Sequence, residues 1–237
     1  MIQISNIKID LDDDRDIAIR KQIEKIVSGR PFNYRIVKES IDARKKPIKF
    51  VYQVYVETDN EDSIIKRDKN VIKVSEYIKK ETIKGSTKVN GRVAVVGLGP
   101  AGLFAALELA RNGYRPVVFE RGKDVIRRKG DVENFWETGT LNPESNVQFG
   151  EGGAGTFSDG KLTTRIKDKR VDLILRDLHF FGADEEILFA NKPHIGTDVL
   201  IDVVKKIREE IISLGGEVRF DSRVDGLNIS NGELKGL

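Results

Sequence analysis

A short apolar run passes directly into a glycine-rich turn at Val93-Ala94-Val95-Val96-Gly97-Leu98-Gly99-Pro100-Ala101-Gly102. An apolar run of this length is typical of a strand that is buried on both faces of a parallel sheet. A helical pattern follows the turn, and a second apolar run, Pro116-Val117-Val118-Phe119, ends at Glu120. The stretch 92–120 therefore predicts one complete β-α-β unit. The apolar positions of its helix are Leu103, Ala106, Leu107 and Ala110.

The spacing Gly-x-Gly-x-x-Gly, in this context, predicts a dinucleotide site of the Rossmann type. Gly97 allows the tight turn, Gly99 lets a pyrophosphate approach the backbone, and Gly102 lets the helix pack closely on the sheet. Unpaired amides at the helix N-terminus favour the anionic pyrophosphate. Glu120 is placed to accept hydrogen bonds from the ribose hydroxyls, and its charge argues against NADP because a 2′-phosphate would meet like charge.

Two features favour FAD over NAD as the dinucleotide. The second strand does not lead directly into another β-α-β repeat, because Asp131 to Lys161 forms a long excursion with its own glycine cluster. A later helix, which Thr197 or Asp198 is placed to cap, leads into short strands and a hairpin. An all-β insertion of this kind is typical of flavoprotein FAD domains.

The last part of the chain predicts a return strand and a hairpin about Asn231-Gly232, a favoured two-residue turn. The chain stops within the second strand of that hairpin, where the sheet edge would be incomplete. We therefore expect the chain to be part of a longer protein, with an FAD-binding domain truncated on its C-terminal side. The predicted strands are Glu217 to Phe220, Arg223 to Ile229 and Glu233 to Leu237.

The first segment, 1–84, predicts a small α+β domain whose β-α-β-β order suggests a ferredoxin-like arrangement. A polar linker follows at 85–91, and the Rossmann-type domain takes 92–237. An acidic run, Asp12-Asp13-Asp14, is placed to cap the helix of the first domain. Its strands are expected at Gln3 to Ile9, Tyr34 to Ala43 and Phe50 to Val56.

The amino-acid composition excludes several classes of function. The chain has no cysteine and two histidines, which excludes a dithiol relay, thiolate metal sites and a histidine-rich metal site. Its net charge of +3, with 20 basic and 15 acidic residues in positions 1–90, is too small for a committed nucleic-acid binder. The apolar stretches are too short to span a membrane and no export signal is visible, so we expect a cytoplasmic protein.

Five stretches carry a resemblance to known families. Val95 to Gly102 with Phe119-Glu120-Arg121-Gly122 resembles the FAD domain of the glutathione-reductase type. Val147-Gln148-Phe149-Gly150-Glu151-Gly152-Gly153-Ala154-Gly155-Thr156-Phe157-Ser158-Asp159-Gly160-Lys161-Leu162 and Pro193 to Asp198 resemble the bacterial uncharacterised FAD-dependent proteins, or NAD(FAD)-utilising dehydrogenases. The front segment, including Ser40 to Lys46, is similar to the same family, so the resemblance covers essentially the whole chain.

This resemblance implies FAD binding. We therefore expect an FAD-dependent oxidoreductase that transfers hydride or electrons through a non-covalently bound flavin, with NAD(P)H as the candidate donor and either a small molecule or an unknown species as the electron acceptor. The resemblance places the backbone of Val224 near the adenine, and Gly152, Gly153 and Ser158 near the pyrophosphate or the flavin. It supplies no substrate, and the later FAD motif of the family is absent. The expected cofactor-binding residues are Gly97, Gly99, Pro100, Ala101, Gly102, Glu120, Arg121, Gly152, Gly153, Ser158 and Val224.

No residue is assigned as the catalytic acid. Lys161 and Arg165 either stabilise a reduced, anionic flavin or lie in solvent. His194 either acts as a general acid or, as we favour, hydrogen-bonds locally and fixes its loop. The loop Gly150 to Gly160 is expected to need unusual backbone angles. Phe135-Trp136 is interpreted as a core anchor.

Two other functions are compatible with the sequence. The first is a flavin-binding sensor or recruitment module whose basic N-terminal domain contacts RNA or a protein. Tight flavin binding without turnover, and salt-sensitive RNA binding, would favour it. The second is an NAD-linked dehydrogenase without flavin, which predicts a colourless protein.

Overall fold

The computed structural model describes residues 1–75, 85–87, 89–162, 164, 166, 168 and 170–237. The fold is mixed α/β and divides into two compact units. Unit 1 comprises Met1–Thr82, Thr163–Asp172 and Glu185–Pro193, and unit 2 comprises Ile83–Leu162, Leu173–Asp184 and His194–Leu237. The units are thus not two continuous stretches of chain, and the domain limits drawn from the sequence stay a prediction.

Unit 1 contains a four-stranded antiparallel sheet in the order β2-β3-β1-β4. The side chain of Asp14 caps the first helix by accepting the N–H of Ile17 at 2.9 Å, as the acidic run predicts. A short helix and an edge strand follow Asp59. The elements are β1 (Ile2–Asp10), α1 (Arg15–Val27), β2 (Phe32–Asp42), β3 (Lys49–Thr58), α2 (Glu61–Arg67) and β4 (Val71–Lys73).

The core of unit 1 follows from alternation along its strands. Side chains alternate between buried and more exposed along the two central strands β1 and β3, except that β1 has an irregularity between Ile4 and Ile7, after which the alternation resumes with Ile7 and Ile9 buried. One stripe of α1 packs against the buried face of the sheet. The buried residues are Ile2, Ile4, Ile7, Ile9, Ile19, Ile23, Val27, Tyr52, Val54, Val56, Ile64 and Val71.

Unit 2 contains a three-stranded parallel sheet in the order β5-β6-β7, which includes the predicted β-α-β unit. The first connection is a helix whose four predicted apolar residues are all buried. The elements are β5 (Ala94–Val96), α3 (Pro100–Arg111), β6 (Val117–Phe119), α4 (Val125–Thr138), α5 (Arg170–Phe180), α6 (Thr197–Ser213) and β7 (Glu217–Arg219), with an antiparallel hairpin of β8 (Asn228–Ser230) and β9 (Glu233–Gly236). Of α5, the part from Leu173 onward belongs to unit 2. Two 3₁₀ turns cover Ala154–Phe157 in unit 2 and Glu185–Leu188 in unit 1.

The expectation that β5 is buried on both faces is wrong. This strand lies at an edge of the sheet, and Val96 is 60% exposed. The helix α3 packs on the face that carries Val95, whereas alternation places Val96 on the opposite face. An apolar run alone does not distinguish a strand covered on both faces from one covered on a single face.

Three local predictions are also corrected. Trp136 is 63% exposed rather than a core anchor, because the buried side of α4 carries Val125, Arg128 and Val132 instead. The N-cap of α6 is Gly196, whose carbonyl accepts the N–H of Leu200, so Thr197 and Asp198 are the first helical residues and not the cap. The first hairpin strand covers only Asn228–Ser230. The predicted turn is confirmed, with positive φ at Asn231 and Gly232.

None of the helices in the described part of the chain has both the length and the apolar character needed to cross a membrane.

Candidate functional site

The turn between β5 and α3 requires glycine at two positions for different reasons. Gly97 has φ +91°, in the region that side chains avoid, and its N–H donates to the carbonyl of Phe119 at 2.7 Å. Gly102 lies against the turn itself, since a Cβ there would be 1.9 Å from the carbonyl oxygen of Gly97. The sequence-based roles of these two glycines, a tight turn and close helix packing, agree with this geometry.

The N-terminus of α3 offers backbone amides to an anion. Gly99 is the N-cap and provides no side-chain hydrogen bond, and a Cβ at that position would meet nothing within 4 Å. Pro100 occupies the first turn, where its missing N–H costs nothing. The amides of Ala101 and Gly102 lie in the same turn, where a helix has no carbonyl partner to offer them. The approach to the backbone is therefore open at the place where the pyrophosphate is predicted.

Glu120 has a structural task that the sequence analysis did not foresee. Its side chain is only 4% exposed. Its Oε2 accepts the N–H of Leu98 at 2.7 Å, and its Oε1 accepts the N–H of Gly122 at 2.8 Å. The carboxylate therefore ties the end of β6 to the turn after β5. Each carboxylate oxygen has a second lone pair, so acceptor capacity for two ribose hydroxyls remains.

The second glycine cluster comes to the same turn. Gly150, Gly152 and Gly153 all have positive φ, as expected for this loop. The N–H of Gly152 donates to the carbonyl of Leu98 at 2.8 Å. A Cβ on Gly153 would lie 3.0 Å from Cδ of Pro100 and 3.4 Å from Cα of Gly99. Gly152 and Gly153 therefore lie beside the glycine turn that follows β5. The N–H of Leu98 is bound by Glu120 and its carbonyl by Gly152.

A buried carboxylate lies within this loop. Glu151 is 0% exposed, and its Oε2 accepts the N–H of Val125, the first residue of α4, at 2.7 Å. Its Oε1 lies 3.2 Å from Nε of Arg208 on α6, an ion pair whose atoms are not aligned for a hydrogen bond. Burial raises the pKa of the Glu151 carboxyl to about 7, because the charged form loses its hydration.

A buried arginine holds the same loop by donating hydrogen bonds to backbone carbonyl groups. The guanidinium of Arg128 is 0% exposed and donates to the carbonyls of Asn146 at 2.8 Å, Val147 at 2.8 Å and Glu151 at 2.6 Å. Burial lowers the pKa of Arg128 to about 10, which leaves it charged at neutral pH. Neither Arg128 nor Glu151 was predicted from the sequence as a site residue. For Glu151 the available signal was its position between Gly150 and Gly152, in a loop that is otherwise poor in charged residues.

The buried carboxyl of Glu151 predicts a pH dependence of stability. In the unfolded chain the carboxyl loses its proton near its ordinary pKa of 4.5, whereas in the folded chain it does so near 7. Its contribution to the free energy of unfolding is therefore complete below about pH 4.5 and is lost as the pH rises to about 7, by up to about 3 kcal/mol. Urea unfolding of the wild type and of Glu151→Gln between about pH 5 and pH 8 measures this loss, since the variant removes it. Equal pH slopes for the two proteins would contradict the assignment.

The remaining predicted residues lie on neighbouring segments. Nε of Arg121 donates to Glu144 at 2.8 Å, and Arg223 reaches the same carboxylate at 3.1 Å, which places the segment before Val224 beside the residue that follows Glu120. Both arginines lower the pKa of Glu144 through these hydrogen bonds. The hydroxyl of Ser158 donates to the carbonyl of Gly155 at 2.8 Å, so its visible role is within the loop.

The two candidate flavin-stabilising cations and the two histidines are placed as follows. Lys161 pairs with Asp159 at 2.7 Å, and Arg165 lies outside the described residues. His194 forms an isolated backbone bridge with Lys161 and is exposed. Nδ1 of His179 lies 2.8 Å from the carbonyl oxygen of Ala183, a local structural contact. Within the part of the chain that the structure describes, no cluster of His, Asp or Glu could hold a metal ion.

Comparison with known proteins finds relatives of two kinds. Residues 1–57 match a domain of unknown function, DUF8436. An uncharacterised protein of Clostridium beijerinckii is 50% identical over 242 residues, which cover 100% of this chain and 45% of that protein. The chain therefore spans about half the length of this relative.

The second kind is thiamine thiazole synthase. The enzyme of Sulfolobus acidocaldarius is 43% identical over 61 residues, covering 25% of this chain and 23% of that protein. The enzyme of Saccharolobus islandicus is 47% identical over 51 residues, covering 21% and 19%. The crystal structure of Thermovibrio ammonificans THI4 is 20% identical, covers 60% of this chain and 44% of that one, and has a TM-score of 0.36. The chain thus has partial sequence similarity to thiamine thiazole synthases.

Proposed function

We propose that unit 2 binds FAD and forms part of a flavin-dependent oxidoreductase of the NAD(FAD)-utilising kind. One observation carries this proposal: both peptide groups of Leu98 are fixed, the N–H by Glu120 and the carbonyl by Gly152. This arrangement holds the turn at the N-terminus of α3, where a Cβ on the N-cap Gly99 would meet nothing within 4 Å, and a helix N-terminus of this kind suits a diphosphate. The partial similarity to thiamine thiazole synthases supports an enzyme rather than a sensor.

Most of the predicted residues have a direct task in this proposal. The amides of Ala101 and Gly102 bind the diphosphate, with Gly99 and Gly153 leaving room for it. Glu120 orients the adenosine ribose through its remaining lone pairs. Arg121 and Val224 border the adenine, and Gly152 and Ser158 shape the loop on the flavin side. A bound flavin would supply hydride or electron transfer, with NAD(P)H as donor and a small molecule as acceptor.

The absorption spectrum of the protein tests the function directly. The purified chain is mixed with FAD, freed of excess ligand and then treated anaerobically with NADH or NADPH. We expect a retained flavin band that bleaches on reduction. A colourless protein that binds neither FAD nor ADP-ribose would contradict the proposal, whereas retained flavin without turnover by any donor would favour the sensor.

Gly153 provides a sharper test within the same loop. Its φ of +64° and the 3.0 Å approach of a Cβ to Pro100 mean that Gly153→Ala strains the loop or displaces α3. We expect FAD affinity to fall about tenfold or more, since the backbone of Gly153 (φ +64°, ψ −166°) is in a region that only glycine adopts readily, and a side chain there costs roughly 1–3 kcal/mol. Fluorescence titration with FAD measures the change.

Gly155→Ala is the matched control for this prediction. A Cβ at Gly155 would meet nothing within 4 Å, and its φ is not positive. The control should bind FAD as the wild type does. Equal affinity of the two variants would show that the loop does not face the ligand.

We also propose that unit 1 is a ferredoxin-like domain, on the basis of its strand order β2-β3-β1-β4. We propose the cytoplasm as the location of the protein.

A further inference from the structure

We propose that Glu151 is a positioning residue for the dinucleotide site, holding the glycine loop against the turn at Leu98. The inference rests on the proposed function and extends it to a residue that does not touch the ligand. Glu151 connects the glycine loop to two other segments. At the start of α4 its side chain accepts the N–H of Val125, and its own N–H donates to the carbonyl of Lys123 at 3.1 Å; on α6 its side chain reaches Arg208.

Glu151 is connected to the dinucleotide site by the peptide bond that joins it to Gly152. Gly152 follows Glu151 directly and donates to the carbonyl of Leu98 at 2.8 Å. The carbonyl of Glu151, on the other side, accepts from Arg128 at 2.6 Å. Backbone and side chain of Glu151 are thus both fixed, and the direction of the Gly152 N–H is fixed with them. Gly153, one residue further, lies beside Gly99 and Pro100.

A charged residue is a costly way to fill this position. Apolar residues of similar volume commonly serve as well or better for stability where an ion pair is buried. Moreover, the Oε1–Nε contact with Arg208 is not aligned as a hydrogen bond, so the pair does not recover its full desolvation cost. A buried carboxylate here is better explained by the geometry it imposes on the loop than by a gain in stability.

The test compares two carboxylate-to-amide changes in unit 2 of the full chain. Glu151→Gln keeps an acceptor for the Val125 N–H but turns a donor toward Arg208, which displaces the loop. Glu209→Gln makes the same chemical change on the exposed side of α6, where Glu209 forms a long ion pair with Lys205 at 3.9 Å. FAD affinity is measured by fluorescence titration at about pH 8, where both proteins are first shown to be folded by circular dichroism.

We expect the dissociation constant for FAD to rise roughly tenfold or more in Glu151→Gln and to stay within about twofold in Glu209→Gln. The dependence of FAD affinity on pH gives a second measurement, which would not change if Glu151 had a purely structural role. Binding by the wild type should tighten several-fold from about pH 6 to pH 8 as Glu151 ionises among Arg208, Arg128, Asp124 and Glu120, and binding by Glu151→Gln should not. Folded Glu151→Gln that binds FAD like the wild type would overturn the inference.

A second variant covers the case in which Glu151→Gln does not fold. Glu151→Gln combined with Arg208→Met removes both charges, so that neither is left buried and unpaired. We expect this double variant to fold and still to bind FAD weakly. Wild-type affinity in the double variant, or failure of both variants to fold, would overturn the positioning role. Absence of FAD and ADP-ribose binding by the wild type would instead refute the proposed function itself.

Discussion

Replacing Gly102 with alanine is expected to destabilise the chain strongly and to abolish dinucleotide binding. The added Cβ would lie 1.9 Å from the carbonyl oxygen of Gly97 and 3.0 Å from its carbonyl carbon. These are backbone atoms, so no side-chain rotation relieves the overlap, and α3 must move away from β5. We expect a loss of about 3 kcal/mol in the free energy of unfolding, at the upper end of the usual cost of overpacking. Urea unfolding and FAD titration measure the two effects.

Gly130→Ala is the matched control for this experiment. Gly130 also lies in a helix, α4, and a Cβ there would meet nothing within 4 Å. Alanine is the better helix former, so this variant should be more stable by up to about 1 kcal/mol and should bind FAD normally. If Gly102→Ala behaved in the same way, the close approach of α3 to the turn would be refuted.

Loss of the Glu120 carboxylate is expected to produce the second large effect. Glu120→Ala leaves the amides of Leu98 and Gly122 without their acceptors, and Glu120→Gln restores only one of them because its amide group is a donor. Each unsatisfied buried amide costs about 1–3 kcal/mol. We therefore expect both variants to lose stability and to bind FAD about a hundredfold more weakly or worse.

Thermal unfolding and FAD titration of the two Glu120 variants are compared with Glu137→Gln, a substitution on the exposed end of α4. Glu137→Gln should match the wild type in both measurements. Glu120→Gln that kept both stability and affinity would show that the carboxylate neither ties the turn nor contacts the ribose.

The local part of the site was predictable from the sequence, and the reason is distance along the chain. The strand, the glycine turn, α3 and Glu120 lie within one β-α-β unit, so spacing and periodicity are enough to place them. The helix stripe of α3 and the turn glycines were predicted for the same reason. The location of Gly152 and Gly153 beside the turn came from family resemblance, since no local pattern connects positions so far apart.

The buried charges were beyond prediction because they depend on packing between distant elements. Arg128, Glu151 and Arg208 belong to α4, the glycine loop and α6, and each would be expected at the surface from its residue type alone. The exposure of Val96 and Trp136 has a related cause, since apolar character does not reveal which face a neighbouring element covers. The second role of Glu120, as an acceptor for two amides, likewise required the folded geometry.

The hydrogen bond from Gly152 to Leu98 joins the glycine turn to the loop 150–160, which is anchored on α4 and α6. Ligand binding at the turn and anchoring of the loop are therefore thermodynamically coupled. Whatever binds at the turn and favours that bond must strengthen the anchoring by the same free energy with which the anchoring strengthens binding. A ligand bound at the turn and the contacts of the loop with α4 and α6 therefore stabilise each other to the same extent.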